Sequence, residues 1–166
     1  MYYIFIEDNK LNGCGECQIL NDGFFNLEVS EELYNLYKEN PDMYIWDGNE
    51  VVVDPDYEAK QAQKERERLD MLFLTGADVE RGIYQAKGMD FDDIMAFVMA
   101  NPPQGLDVKA LKIELKANNF YRGNPYVNAV GALLGFTSEQ LDKFFETKDY
   151  TYLLPSEPDN EEKGIE

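Results

Sequence analysis

The sequence predicts an α+β fold: a small antiparallel β module followed by a connecting helix and a compact multi-helix domain. Three observations predict it. Aromatic and β-branched runs separated by turn dipeptides crowd the first 54 residues. A run of Ala, Gln, Lys, Glu and Arg follows, with no large apolar residue between Gln61 and Arg68. Beyond Leu74 the pattern becomes a series of short amphipathic segments, each opened by a capping residue. The chain accordingly divides into an acidic β-rich module at 1–54, a connecting helix at 55–74, a helical domain at 75–154 and an acidic tail at 155–166 that the composition predicts to be disordered.

In the first part, Tyr2–Ile6 reads as a strand. Glu7–Lys10 and Asn12-Gly13 read as turns, and Gln18-Ile19-Leu20 reads as the returning strand. Asn21-Asp22-Gly23 turns again, and Phe24, Phe25, Leu27 and Val29 supply a third strand. Ser30 has the character of an N-cap, with Glu31 and Glu32 at the positive end of the helix dipole and Leu33, Leu36 and Tyr37 on the apolar face. Pro41 ends that helix. Tyr44-Ile45-Trp46, Asp47-Gly48 and Asn49–Val53 form the clearest hairpin, with Asn49 lengthening the loop. Asp54 then caps a helix with Pro55 at its first position.

The helical domain repeats one signature, a cap flanked by a hydrophobic staple. Thr75 caps with Leu74 and Val79 as staple; Asp90 with Met89 and Ile94; Asp107 with Leu106 and Leu111. Asn124-Pro125 opens a helix that Gly135 closes, and Thr137 with Gln140 forms a capping box, with Phe136 and Leu141 as the staple. Five short helices between 75 and 147 result.

Charge and residue inventory restrict function. Fifteen Lys and Arg stand against 33 Asp and Glu, a formal charge of −18, and residues 1–60 alone hold 14 acids and 3 bases. Such a chain repels phosphate backbone and anionic lipid surfaces and favours a basic protein surface as partner. No apolar run approaches the length of a membrane span, and no secretory leader opens the sequence, which predicts synthesis in the cytoplasm. With no histidine, Ser-His and Cys-His catalysis are impossible within the chain. Cys14 and Cys17 form half of a tetrahedral zinc site whose other half would have to come from carboxylates or a second chain. Asp90, Asp92 and Asp93 lack the spacing of a calcium loop and read as capping residues. Lys109, Lys112 and Lys116 are the one basic stripe, the wet face of an amphipathic helix. No catalytic residue, cofactor or metal is assigned, and the chain reads as a non-enzyme; a hydrolase working through carboxylates stays open as a third reading.

Two segments carry a resemblance. Leu72–Gly88 and Phe120–Gly135, the latter followed by Leu141–Tyr150, resemble segments of small phage and prophage proteins of Gram-positive bacteria encoded near tail and baseplate genes. The hairpin with Tyr44–Gly48 and Asp54–Tyr57 resembles them too. The resemblance implies a non-enzymatic tail-associated structural or assembly role, in the host cytoplasm or the virion. It supplies no catalytic residues. Phage origin with strong acidity also suggests an alternative, an acidic DNA mimic of the anti-CRISPR type that occupies the basic groove of a host nuclease complex. On either reading the candidate protein-binding residues are Glu28, Glu31, Glu32, Asp42, Tyr44, Trp46, Asp47, Glu50, Asp54, Asp56 and Glu58. Direct nucleic-acid binding is not expected, and the oligomeric state is left open.

Overall fold

The computed structural model describes residues 1–100 and 102–155, so the acidic tail beyond Pro155 lies outside the described residues. The fold is α+β, with a small N-terminal antiparallel sheet followed by multiple helices. The chain forms two compact units, Met1–Lys64 and Glu65–Glu166, and the division falls inside a single helix, α2 (Tyr57–Asp70).

The first unit is built on strands β1 (Tyr2–Glu7), β2 (Lys10–Gly15) and β3 (Phe24–Val29), in the order β2-β1-β3 with both neighbours antiparallel to β1. The strand that returns along β1 is therefore Lys10–Gly15, not the expected Gln18–Leu20. The cause lies in the turn. Asp8 and Asn9 both take positive φ, 49° and 60°, as a two-residue hairpin loop with the right twist requires. Pairing begins at once with Glu7 opposite Lys10. Asn12-Gly13, expected as a turn, sits inside β2 where the register slips between Phe5 and Ile6. Gly15 is needed there, since a Cβ would lie 2.9 Å from Phe5 Cζ.

Because β2 and β3 flank β1 and run in the same direction, residues 16–23 must cross back over β1. Asn26, opposite Phe5 in the register, holds this crossing. The Ile19 N–H donates to Asn26 Oδ1 (2.8 Å) and Asn26 Nδ2 donates to the Ile19 carbonyl (3.0 Å). Helix α1 (Glu31–Glu39) covers the other face, where the Tyr2 and Tyr34 rings lie 4.8 Å apart. Ser30 caps it, accepting from the Leu33 N–H at 3.2 Å. Tyr3, Ile4, Phe5, Ile6, Tyr34 and Tyr37 are the buried apolar residues of this unit. A 3-10 turn at Pro41–Met43 leads into the expected hairpin, β4 (Tyr44–Trp46) with β5 (Val51–Val53), closed by a four-residue loop.

In the second unit α2 ends at Asp70, short of the expected boundary at 74, and Phe73–Thr75 (β6) pairs with Asn119–Tyr121 (β7). Leu74 and Phe120 point into the core while Phe73 and Tyr121 stay exposed, the alternation of a one-sided ribbon. The five expected helices follow: α3 (Gly76–Lys87), α4 (Phe91–Ala100), α5 (Val108–Glu114), α6 (Pro125–Leu133) and α7 (Ser138–Thr147). Thr75, Asp107, Asn124 and Thr137 each accept a backbone N–H of the helix they open, and Thr137 forms the full box with Gln140. Asp90 and Asp93 cap reciprocally, at 2.8 and 3.2 Å. The staple residues Leu74, Val79, Ile94, Leu111, Phe136 and Leu141 all enter the core.

Candidate functional site

The candidate residues lie on six pieces of the first unit. Glu28 is on β3, Glu31 and Glu32 form the first turn of α1, and Asp42 is in the 3-10 turn. Tyr44 and Trp46 are on β4, Asp47 and Glu50 are in the hairpin loop, and Asp54, Asp56 and Glu58 lead into α2. Eight of the nine acids are exposed. Asp54 is not: it is 5% exposed, and its carboxylate is engaged inside the unit.

The structure brings some of these residues together. The Asp54 N–H donates to the Met43 carbonyl at 2.8 Å, which sets the 3-10 turn beside the start of α2. Two lysines on successive turns of α2 then neutralise acids there. Lys60 Nζ is 2.6 Å from Asp54 Oδ2, and Lys64 Nζ is 3.1 Å from Asp42 Oδ2. Asp54 Oδ1 also accepts the Asp56 N–H at 2.9 Å. The Lys60 ammonium, with the Asp56 amide, holds the Asp54 carboxyl below its ordinary pKa. In the hairpin loop Asp47 Oδ1 accepts the N–H groups of Asn49 and Glu50, both at 2.8 Å, which lowers the Asp47 pKa and fixes the loop. At α1 the Tyr2 hydroxyl is pushed up in pKa by its hydrogen bond to Glu31. Among the described residues no hydrogen bond or ion pair joins the α1 acids to the hairpin-loop acids.

Sequence reasoning marked Tyr44 and Trp46 but not what they line. With Tyr37, Pro41, Asp42 and Ile45 they border an open groove of about 500 Å³, with Asn9, Lys10 and Leu11 on its other side. The Tyr37 and Tyr44 rings are 6.1 Å apart at 58°, and Trp46 stands 6.1 Å from Phe25. Tyr37 is anchored from below. Its hydroxyl is pushed up in pKa by burial, against a hydrogen bond with the Gly13 backbone. The helical pattern of α1 marks Tyr37 as a core residue; nothing in its spacing tells that its ring also forms the floor of a groove.

The second unit also has an open pocket of about 380 Å³, lined by Pro103, Gln104, Gly105, Leu106, Ala129, Ala132 and Leu133 and without a charged or titratable side chain. The core of this unit encloses a gap of about 40 Å³ lined almost wholly by apolar side chains, among them Ile83, Phe91 and Phe120. Water there would lack polar partners. Lys109 and Lys112 of the basic stripe are exposed, as expected of a wet helix face. Cys14 is half-buried in β2, Cys17 is exposed, and both are free thiols. Among the described residues no group of three or more metal-ligating side chains comes together, and no helix is long and apolar enough to cross a membrane.

No family model, curated protein or solved structure matches this chain.

Proposed function

We propose that this chain is a non-enzymatic protein with a structural or assembly role at a phage tail, where its acidic N-terminal unit docks on a basic surface of a tail or baseplate protein. One observation carries the docking. Glu28, Glu31, Glu32, Asp47, Glu50, Asp56 and Glu58 are exposed and form no ion pair among the described residues, whereas Asp42 and Asp54 are matched by Lys64 and Lys60. Exposed acids without internal cations steer and orient a positively charged partner. The choice of a tail protein comes from the resemblance read in the sequence at Leu72–Gly88 and Phe120–Gly135. The test is capture from lysates of phage-producing cells by the wild-type chain and by a Glu31→Lys/Glu32→Lys/Glu50→Lys/Glu58→Lys variant. Tail or baseplate proteins should be retained by the first and lost by the second; equal retention by both would reject the acidic surface as the docking element.

The same exposed carboxylates favour a second reading, mimicry of a phosphate backbone in the basic groove of a host nuclease complex. Here the captured protein is a nuclease, and excess duplex DNA displaces the chain from it. Capture unaffected by DNA would remove this reading.

A further inference from the structure

The groove between β4 and the end of α1 has a chemistry of its own. Three aromatic side chains, Tyr37, Tyr44 and Trp46, and the ring of Pro41 make its apolar surface, and Asp42 stands at its rim. Tyr44 and Trp46 are half-buried, so each keeps part of its ring open to a ligand. Aromatic faces carry negative charge density and stack well with a planar guanidinium.

The surroundings fit the same ligand. In Met1–Lys64, Asp and Glu outnumber Lys and Arg by 14 to 4. The four cations all have neighbours of their own. Lys60 and Lys64 hold Asp54 and Asp42, and Lys38 lies 5.6 Å over the Tyr34 ring; Lys10, at the groove edge, has Glu7 opposite it in the β1–β2 register but forms no ion pair among the described residues. The potential around the groove is thus set by the excess acids, which attract a cationic segment and repel an acidic one. Open grooves lined by aromatic rings are a recurrent docking mode for extended, proline-rich peptide.

We propose that this groove binds an extended segment of the partner protein through an arginine side chain, its guanidinium stacked on Tyr44 and Trp46. The inference rests on the reading of the first unit as a docking element for a basic partner and names the side chain that the partner inserts.

Trp46 is the only tryptophan in the chain, so its emission reports on the groove alone. The full chain is titrated with a synthetic glycine- and proline-spaced peptide carrying one arginine, and with the same peptide carrying the uncharged isostere citrulline. The arginine peptide should produce a saturable change in Trp46 emission, and citrulline should weaken binding about tenfold. Tyr44→Leu should weaken the arginine peptide by a similar factor with the circular dichroism spectrum unchanged. If Tyr44→Leu disturbs the fold, Trp46→Leu followed by calorimetry replaces it. No emission change with the arginine peptide overturns the inference, and so does equal affinity for the citrulline peptide, which would mark a site for neutral extended chain. The charge-reversed variant described above keeps all groove residues. With less negative potential around the groove it should still titrate saturably with the arginine peptide, though more weakly, and loss of partner capture together with that saturable titration leaves the groove standing; if partner capture survives charge reversal while the wild-type titration is saturable, the wider docking reading alone fails.

Discussion

Arg122 is wholly buried and shows how single residues tie the second unit together. Its Nη1 donates to Asn128 Oδ1 at 2.6 Å and its Nη2 to Ser138 Oγ at 2.8 Å. Its Nε lies 2.7 Å from Asp142 Oδ1, close enough for a strong ion pair but without hydrogen-bond alignment. Asp142 is shared with Arg66, which also pairs with Asp70. Removing the shared carboxylate leaves a buried guanidinium facing a second arginine. Asp142→Ala should therefore destabilise the second unit by about 3 kcal/mol, measured as a shift in its denaturant midpoint. Asp54 makes a different prediction. Its folded pKa lies below its unfolded value, so the unfolded state takes up a proton first as pH falls. The stabilisation is complete above the unfolded carboxyl pKa of about 4 and disappears as acid drives the pH through the folded value. Amide exchange around Met43 and Tyr57 should accelerate below about pH 4 in the wild type, and this acid-dependent step should be absent in Asp54→Asn.

At the scale of elements, the helices were far more legible than the strands. Caps and staples are local, so Thr75, Asp107, Asn124 and Thr137 announce their helices within five residues of sequence. The β6–β7 ribbon is invisible by the same reasoning, since Phe73–Thr75 and Asn119–Tyr121 are three residues each and recognise one another only across the folded unit. Gln18–Leu20 misled because apolar character alone does not say that both edges of β1 are already taken. In the candidate site, exposure of the acids could be read from composition, but the pairing of Asp42 with Lys64, 22 residues apart, has no spacing rule behind it. Contact between α3 and α7 is equally silent in sequence. Gly82 lies under the Phe144 ring, where a Cβ would sit 2.3 Å from Cζ. Gly82→Ala should cost about 1–3 kcal/mol through overpacking, despite the better helix propensity of alanine, and thermal unfolding would show it as a lower Tm. An unchanged Tm would mean that Phe144 swings aside without loss.

For the whole molecule the governing quantity is charge distribution. A net −18 with 14 of the acids in the first 60 residues makes the chain a strongly lopsided polyanion. Association with a basic partner should then be fast at low salt and fall steeply as ionic strength rises toward a Debye length of about 8 Å, while the second unit's apolar core is indifferent to the same change. Stopped-flow association measured across a salt series, beside denaturation at the same salts, would separate the two; salt-independent association would point to an apolar docking mode.

The short ribbon of Phe73–Thr75 with Asn119–Tyr121 acts as a clasp at the neck of a long excursion, because everything from α3 to α5 lies along the chain between its two strands. Loop-closure entropy grows only with the logarithm of length, so that doubling a flexible loop adds about 0.6 kcal/mol. Evolution can therefore lengthen the connection at 102–106, on the way from α4 to α5, with little effect on the neck. A proline at Leu74 or Phe120 would instead strip a hydrogen bond from the clasp itself and loosen three helices at once, which makes a pair of three-residue strands the narrowest point through which sequence change can reach half of the helical core.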